Sequence, residues 1–292
     1  MSGKNRIAIT VILLAGSFTI SETVALAQAG QSPAGQQPAA TSKDQKPADA
    51  GSSLEIPVAQ PPVNAEEDAA AKAFETLPNT DLPKKIAAGE DFLKKYPESR
   101  YRPVIYSSLT MAYIQDGKPD KAFEVGDKEV ALKPDDVQTL ALLSQTIPRA
   151  MNPSTQEPTK QLAKAETYAK RAIDVTPTIA KPAGMADQSF IAAKNATLSM
   201  AHSGLGLVYF RRAQYKEAIP ELEQSVKIDP NPVPDPVNLY LLGKSNEKAS
   251  HFDDAVAAYN KCAAIAGGLQ ATCKNGADEA KKQSSTQLSA PK

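Results

Sequence analysis

Small residues recur at fixed offsets along this chain, and that recurrence restricts the fold more than any other feature. Between Ser199 and Asn231 the sequence carries Leu205-Gly206, Tyr209, Ala218, Leu222, Ser225 and Pro230. Counted from Ser199 as position 1, these stand at 7, 8, 11, 20, 24, 27 and 32. Spacings of three and four within each half set one helical face in register, and Pro230 stops the second helix after Asp229. Two helices approach closely only where neither presents bulk. Gly206 and Ala218 leave that room, and Leu205, Tyr209 and Leu222 fill the space around it.

The same marks return elsewhere. A copy starts at Pro236 with Leu242-Gly243, Ala255, Tyr259 and Cys262, while Asn246 replaces the tyrosine and Gly267 the closing proline. Gly206 and Gly243 lie 37 residues apart, and the excess falls in Pro232 to Pro236, a stiff loop. An earlier copy runs from Pro103 with Leu109, Tyr113, Ala122 and Pro134 in register and Asp116 to Pro119 as its turn. There Gly126 and Glu129 depart from the bulky and small types expected. Another copy starts near Val137 (Leu143, Ser144), loses register at Pro148 and resumes at Ala165, Ala169, Ala172 and Pro177. Asn152 to Pro158 supplies most of its surplus as a loop. After an insert, Thr178 to Ala186, a long helix is expected from Asp187 through Ser199 to Arg211. Asn64, followed by Glu66, Glu67 and Asp68, reads as an N-cap with acidic residues in the first turn. It opens an antiparallel pair, about Ala65 to Leu77 and Leu82 to Tyr96. If the helix after Arg211 begins near Lys216, Pro220 falls in or next to its first turn, where a missing N–H costs little.

This spacing resembles the tetratricopeptide repeat, a 34-residue helix-turn-helix unit. The resemblance covers about 220 residues, from Asn64 to roughly Lys282. It implies an all-α fold, a right-handed α-solenoid of stacked antiparallel helix pairs. The expected pairs are about 64–98, 103–136, 137–179 with its insertion, 187–232 and 236–267, closed by a capping helix at 269–283.

Lys4 and Arg6 precede an apolar run from Ile7 to Ile20, and Ala25-Leu26-Ala27 offers the small-x-small pattern of signal cleavage. Residues 1–27 therefore read as a secretory signal cut before Gln28, the alternative being a retained anchor. The apolar run is 14 residues, short of the roughly 20 that span a bilayer, so no membrane span is expected after cleavage. The protein is expected to be exported, either periplasmic or secreted. Residues 28–63 are rich in Ala, Gln, Pro, Ser and Gly and read as a disordered linker. Residues 284–292 read as a disordered tail.

The chain holds 33 basic and 33 acidic side chains, a balance that argues against a nucleic-acid partner. Two histidines and two cysteines are too few for a typical zinc cluster, and neither His202 nor His251 has a partner at ligand spacing. No phosphate loop, nucleophile elbow or H-E-x-x-H occurs. Carboxylate pairs such as Asp135/Asp136 and Asp253/Asp254 start helices, where the dipole favours them. No catalytic, cofactor or metal residue is therefore assigned. Cys262 and Cys273 flank Gly267-Gly268 symmetrically, so antiparallel helices joined there bring the sulfurs together. In an oxidising compartment a disulfide is expected; the alternative is two buried small hydrophobes.

The resemblance further implies that the first helix of each pair lines a concave face. Its inward positions give Met111 and Ile114, then Gln145, then Ser203, Leu207, Phe210 and Arg211, then Tyr240, Lys244 and Lys248. This mixed surface, basic at one end, is expected to bind a protein or peptide partner, with Arg211, Lys244 and Lys248 selecting acidic groups. The alternative is a groove filled by the N-terminal pair or by the inserts. Chaperone-binding members hold a carboxylate with Lys and Asn at positions 5 and 9; Ser107/Met111, Ser203/Leu207 and Tyr240/Lys244 do not supply that clamp. The function expected is a non-enzymatic scaffold of the bacterial envelope. The alternatives are an end-to-end structural oligomer and an enzyme with its site in an insert, at Glu157 or Asp187.

Overall fold

Helix starts in this chain are written into its caps. Asn64 Oδ1 accepts from the backbone N–H groups of Glu66 and Glu67, and Asp81, Asp136 and Asp235 cap three later helices in the same way. Five helices carry proline in their first turn, where no N–H is needed. The structure, a computed structural model, describes residues 64–288. The signal and linker expectations, and the last four residues of the expected tail, lie outside the described residues.

Eleven α-helices and no strands are found among the described residues. They are α1 (Ala65–Glu75), α2 (Leu82–Lys95), α3 (Arg102–Gln115), α4 (Pro119–Leu132), α5 (Val137–Ala150) and α6 (Pro158–Val175). After a 3₁₀ turn at Thr176–Thr178 come α7 (Asp187–Arg211), α8 (Tyr215–Ile228), α9 (Pro236–Lys248), α10 (Phe252–Ala263) and α11 (Gln270–Leu288). Each helix packs on the next. In addition α3, α5, α7, α9 and α11 pack on one another in series, each on the next of the set. The chain is thus a solenoid of antiparallel pairs whose first helices form a continuous inner layer.

Three of the turns within pairs are built alike. Gly117, Ala213 and Ser250 have φ of 70°, 58° and 64°, each two residues past the end of its helix. The N–H of the following residue donates to the carbonyl of Tyr113, Tyr209 or Asn246. This is a left-handed C-terminal cap with a six-to-one bond. The α5–α6 turn breaks the pattern, running from Met151 to Glu157, as the loop expected there requires.

The crossings explain the small residues. A Cβ on Gly206 would stand 2.7 Å from Leu222 Cγ, and one on Gly243 would stand 2.6 Å from the Tyr259 ring. Ala218 and Ala255 are fully buried on the opposing helices. The departure at Gly126 also has a reason, because Leu143 of α5 fills the space that the bulky Leu222 and Tyr259 hold in the last two pairs. In the N-terminal pair a polar group does the joining. Buried Lys85 donates Nζ to the Phe74 carbonyl (3.0 Å) and lies 4.3 Å from the Phe74 ring centre, closing the end of α1.

Two local expectations are corrected. Helix α8 starts at Tyr215, so Pro220 lies beyond its first turn and leaves the Lys216 carbonyl without an intrahelical donor. Both residues are exposed, and water can satisfy that carbonyl. Helix α11 continues past Gln283 to Leu288. Ser284 Oγ donates to Asp253 Oδ1 (2.9 Å), tying the extension to α10. Cys262 and Cys273 form a disulfide, with Cα atoms 5.8 Å apart, that joins α10 to α11.

Candidate partner-binding surface

The inner layer carries all ten residues expected to bind a partner, but it does not present them alike. Met111 is 38% exposed on α3, with Val104 one heptad earlier at 42%. Ile114 is half-buried against the core of the first two pairs. Ser203 (1% exposed) and Leu207 (5%) are covered. They cannot touch a partner, and their assignment to an open groove is corrected. The cause is the direct packing of α7 on α5 and α9, which turns inward positions of α7 into core. Leu207 accordingly joins Leu222, Leu241 and Leu242 in one apolar cluster.

Gln145 and Ser203 belong to a hydrogen-bonded relay. Gln145 Nε2 donates to Ser203 Oγ (2.9 Å), whose hydroxyl donates to Asn238 Oδ1 (2.6 Å). Asn238 Nδ2 reaches Ser225 Oγ (3.1 Å), which donates to the Ser199 carbonyl (2.8 Å). Arg149 sits beside this relay, with Nη2 2.6 Å from Asp235 Oδ2, so α5 is tied to the start of α9 across α7. The sequence reading missed Arg149 because it follows Pro148, where register is lost. Its side chain retains 24% exposure.

The basic end is weaker than its composition suggests. Lys244 Nζ lies 2.8 Å from Glu247 Oε1, and Glu247 also accepts from the Tyr259 hydroxyl (2.9 Å). Burial, reinforced by that bond to Glu247, holds the Tyr259 phenol protonated well above its ordinary range. Lys244 is therefore spent on an internal partner. Arg211 and Lys248 are exposed, and Arg211 donates to the Met151 carbonyl (3.2 Å). Phe210 is half-buried, edge-on to Tyr215 at 5.6 Å, and Tyr240 lies 6.1 Å from Tyr259.

The same relay begins two joints earlier and ends differently. Ser107 and Thr139 hydroxyls lie 3.3 Å apart, in the register of Ser203 and Asn238. Where the later joint has Ser225, this one has Glu129, which is fully buried with both carboxyl oxygens lacking a hydrogen bond of good geometry. Burial pushes its carboxyl up to about 8, and the neighbouring Asp136 carboxylate adds to the rise. The Thr139 hydroxyl and Lys133 ammonium pull the other way.

Each insert carboxylate is engaged by a lysine. Glu157 is exposed and paired with Lys160 at 3.2 Å, and Asp187 is paired with Lys181. A cavity of about 490 Å³ lies under the α5–α6 loop, bounded by Asp120, Phe123, Met151, Asn152 and Gln161. Neither insert carboxylate lines it, nor does Glu129. His202 Nδ1 lies 2.6 Å from Glu221 Oε2, which accounts for its polar edge within the repeat. No group of three or more His, Cys, Asp or Glu side chains suited to a metal is found among the described residues.

Residues 199–232 match the family model described as tetratricopeptide repeat. None of the curated proteins matches the chain. Among solved structures, the crystal structure of MamA protein is similar at 19% identity over 68% of this chain and 88% of that one, with a TM-score of 0.47. PilW, described as a widely conserved type IV pilus biogenesis factor, is similar at 16% identity over 77% and 93%, with a TM-score of 0.49. A thermophilic TPR protein in Thermus thermophilus, TTC0263, is similar at 19% identity over 73% and 98%, with a TM-score of 0.45.

Proposed function

Since residues 199–232 match the tetratricopeptide repeat model and the flanking helices stack on them in antiparallel pairs, we propose that the protein is a non-enzymatic interaction scaffold. It holds an extended or helical segment of a partner protein against its inner layer. The observation that carries this reading is the exposed pair Val104 and Met111 on the inner helix α3, at 42% and 38%. Seven residues apart, they stand on one face of α3 and offer a partner two apolar contacts on that face. Arg211 and Lys248 add exposed cations farther along the same layer and select acidic groups on the partner. The site moves toward α3 and away from the covered Ser203 and Leu207.

The signal pattern of Lys4, Arg6, the run Ile7 to Ile20 and Ala25-Leu26-Ala27 supports export to the bacterial envelope, with residues 28–63 as a spacer. No helix among the described residues is long and apolar enough to cross a membrane. End-to-end stacking is the poorer reading. The outward residues of α11, such as Lys274, Asp278, Glu279 and Lys282, are exposed and charged and offer no apolar face to a second copy.

Crosslinking and affinity capture from the envelope tests the proposal, with wild type compared against Val104→Glu plus Met111→Glu. The expected result is loss of a specific captured protein with unchanged circular dichroism and Tm. Equal capture by the folded double variant overturns the assignment of the surface. Phe210→Ala with Arg211→Glu reports in the same way on the farther end.

A further inference from the structure

We propose that the joint between α4 and α5 is a pH-sensitive hinge, in which ionisation of Glu129 loosens the packing of the second helix pair on the third. The argument starts from repeat register. At position 27 the three later pairs place Ala172, Ser225 and Cys262, all small and all fully buried. The second pair places Glu129 there, and it too is fully buried. A side chain at this position faces the start of its own pair and of the next: Cys262 Sγ lies 3.5 Å from the Pro236 carbonyl of its own pair, while Ser225 donates to the Ser199 carbonyl of its own pair and accepts from Asn238 of the next. Glu129 meets the start of α5 in the same way.

The neighbours of Glu129 decide how it responds to ionisation. The α4–α5 turn presents Asp136, a like charge, and Lys133, whose Nζ is 3.7 Å from Asp136 Oδ2 and so is shared. Asp136 is further committed as the N-cap of α5, accepting from Thr139 N–H (3.0 Å). Helix α5 offers the Thr139 hydroxyl, and α3 offers Ser107 behind it. The Tyr106 phenol of α3 acts on Lys128 rather than on Glu129. From α6, Lys164 and Tyr168 address Asp127, and Arg171 addresses Asp135. A neutral Glu129 is tolerated in this setting. A charged one sits in a dry joint beside a second carboxylate, with one shared cation to offset it. Opening the joint admits water to the carboxylate, so charge favours the open form.

Hydrogen exchange of the whole chain tests this, with amide protection compared at pH 6.5 and pH 9 after correction for intrinsic exchange rates. In wild type the first turns of α5 are expected to lose protection by about tenfold between the two values, following proton linkage. Amides in α9 and α10 are expected to hold steady. In Glu129→Gln the α5 amides are expected to show no such loss. Glu129→Ser, which restores the residue type of position 225, provides a second neutral variant should the amide not fit. A wild-type joint that keeps its protection at pH 9 overturns the hinge. So does an equal loss in both neutral variants, or an equal loss in α9 and α10.

Discussion

Ala213 and Ser250 occupy backbone geometry that their side chains resist. Both sit at positive φ in exposed turns where the equivalent residue is Gly117. A left-handed L-residue costs roughly 1–2 kcal/mol, part of which glycine returns as unfolded-state entropy. Ala213→Gly and Ser250→Gly are each expected to stabilise by about 0.5 kcal/mol or more, read as a higher urea midpoint with unchanged slope. Gly243 is the opposite case. In an open helix, glycine to alanine gains about 1 kcal/mol. Here the added methyl meets the Tyr259 ring at 2.6 Å, so Gly243→Ala is expected to destabilise by about 1–3 kcal/mol. A gain in the same measurement would show that the crossing is not tight.

Glu129 adds a pH dependence at this scale. Its folded value of about 8 lies above the ordinary 4.5. The stability it contributes relative to the charged unfolded chain is therefore fully present below about pH 4.5. It is lost progressively as pH rises through about 8. Thermal melts are expected to show wild type losing more Tm than Glu129→Gln between pH 6 and pH 9; parallel curves would contradict the assignment.

Among elements, α11 depends most on a single bond. The disulfide Cys262–Cys273 fixes it to α10, while its outward face is charged and its inward face is made of Cys273, Ala277 and Ala280. Such small residues bury little area. Cys262→Ala plus Cys273→Ala is expected to cost about 2–3 kcal/mol and to leave α11 more open to limited proteolysis than α9. Equal cleavage of the two helices would show that packing alone suffices. The helix boundaries were largely legible in caps and prolines, because those residues act locally. Pro220 misled because its cost depends on where the preceding turn ends, and that turn is set by the left-handed Ala213 rather than by any helix signal.

For the whole molecule, the solenoid was legible because Gly206, Ala218, Gly243 and Ala255 carry a contact rule in their identity. The candidate surface was legible only in part. Met111 stays open and Ser203 does not, although both hold inward positions of the repeat. What separates them is how tightly successive inner helices pack, and that is a property of three helices at once. Arg149 and the setting of Glu129 were not legible for the same reason: Glu129 takes its neighbours from the next pair and Arg149 its partner from the pair after that.

The tie from Arg149 to Asp235 skips a helix pair, and this bears on how the array can come apart. Stacks coupled solely to adjacent members fray from either tip one unit at a time. Peeling α9 away here would strand a half-shielded guanidinium whose Nε already has no acceptor. The stretch from α5 to α9 should therefore melt as one block, and a chain shortened before Asp235 should lose order well upstream of its new terminus.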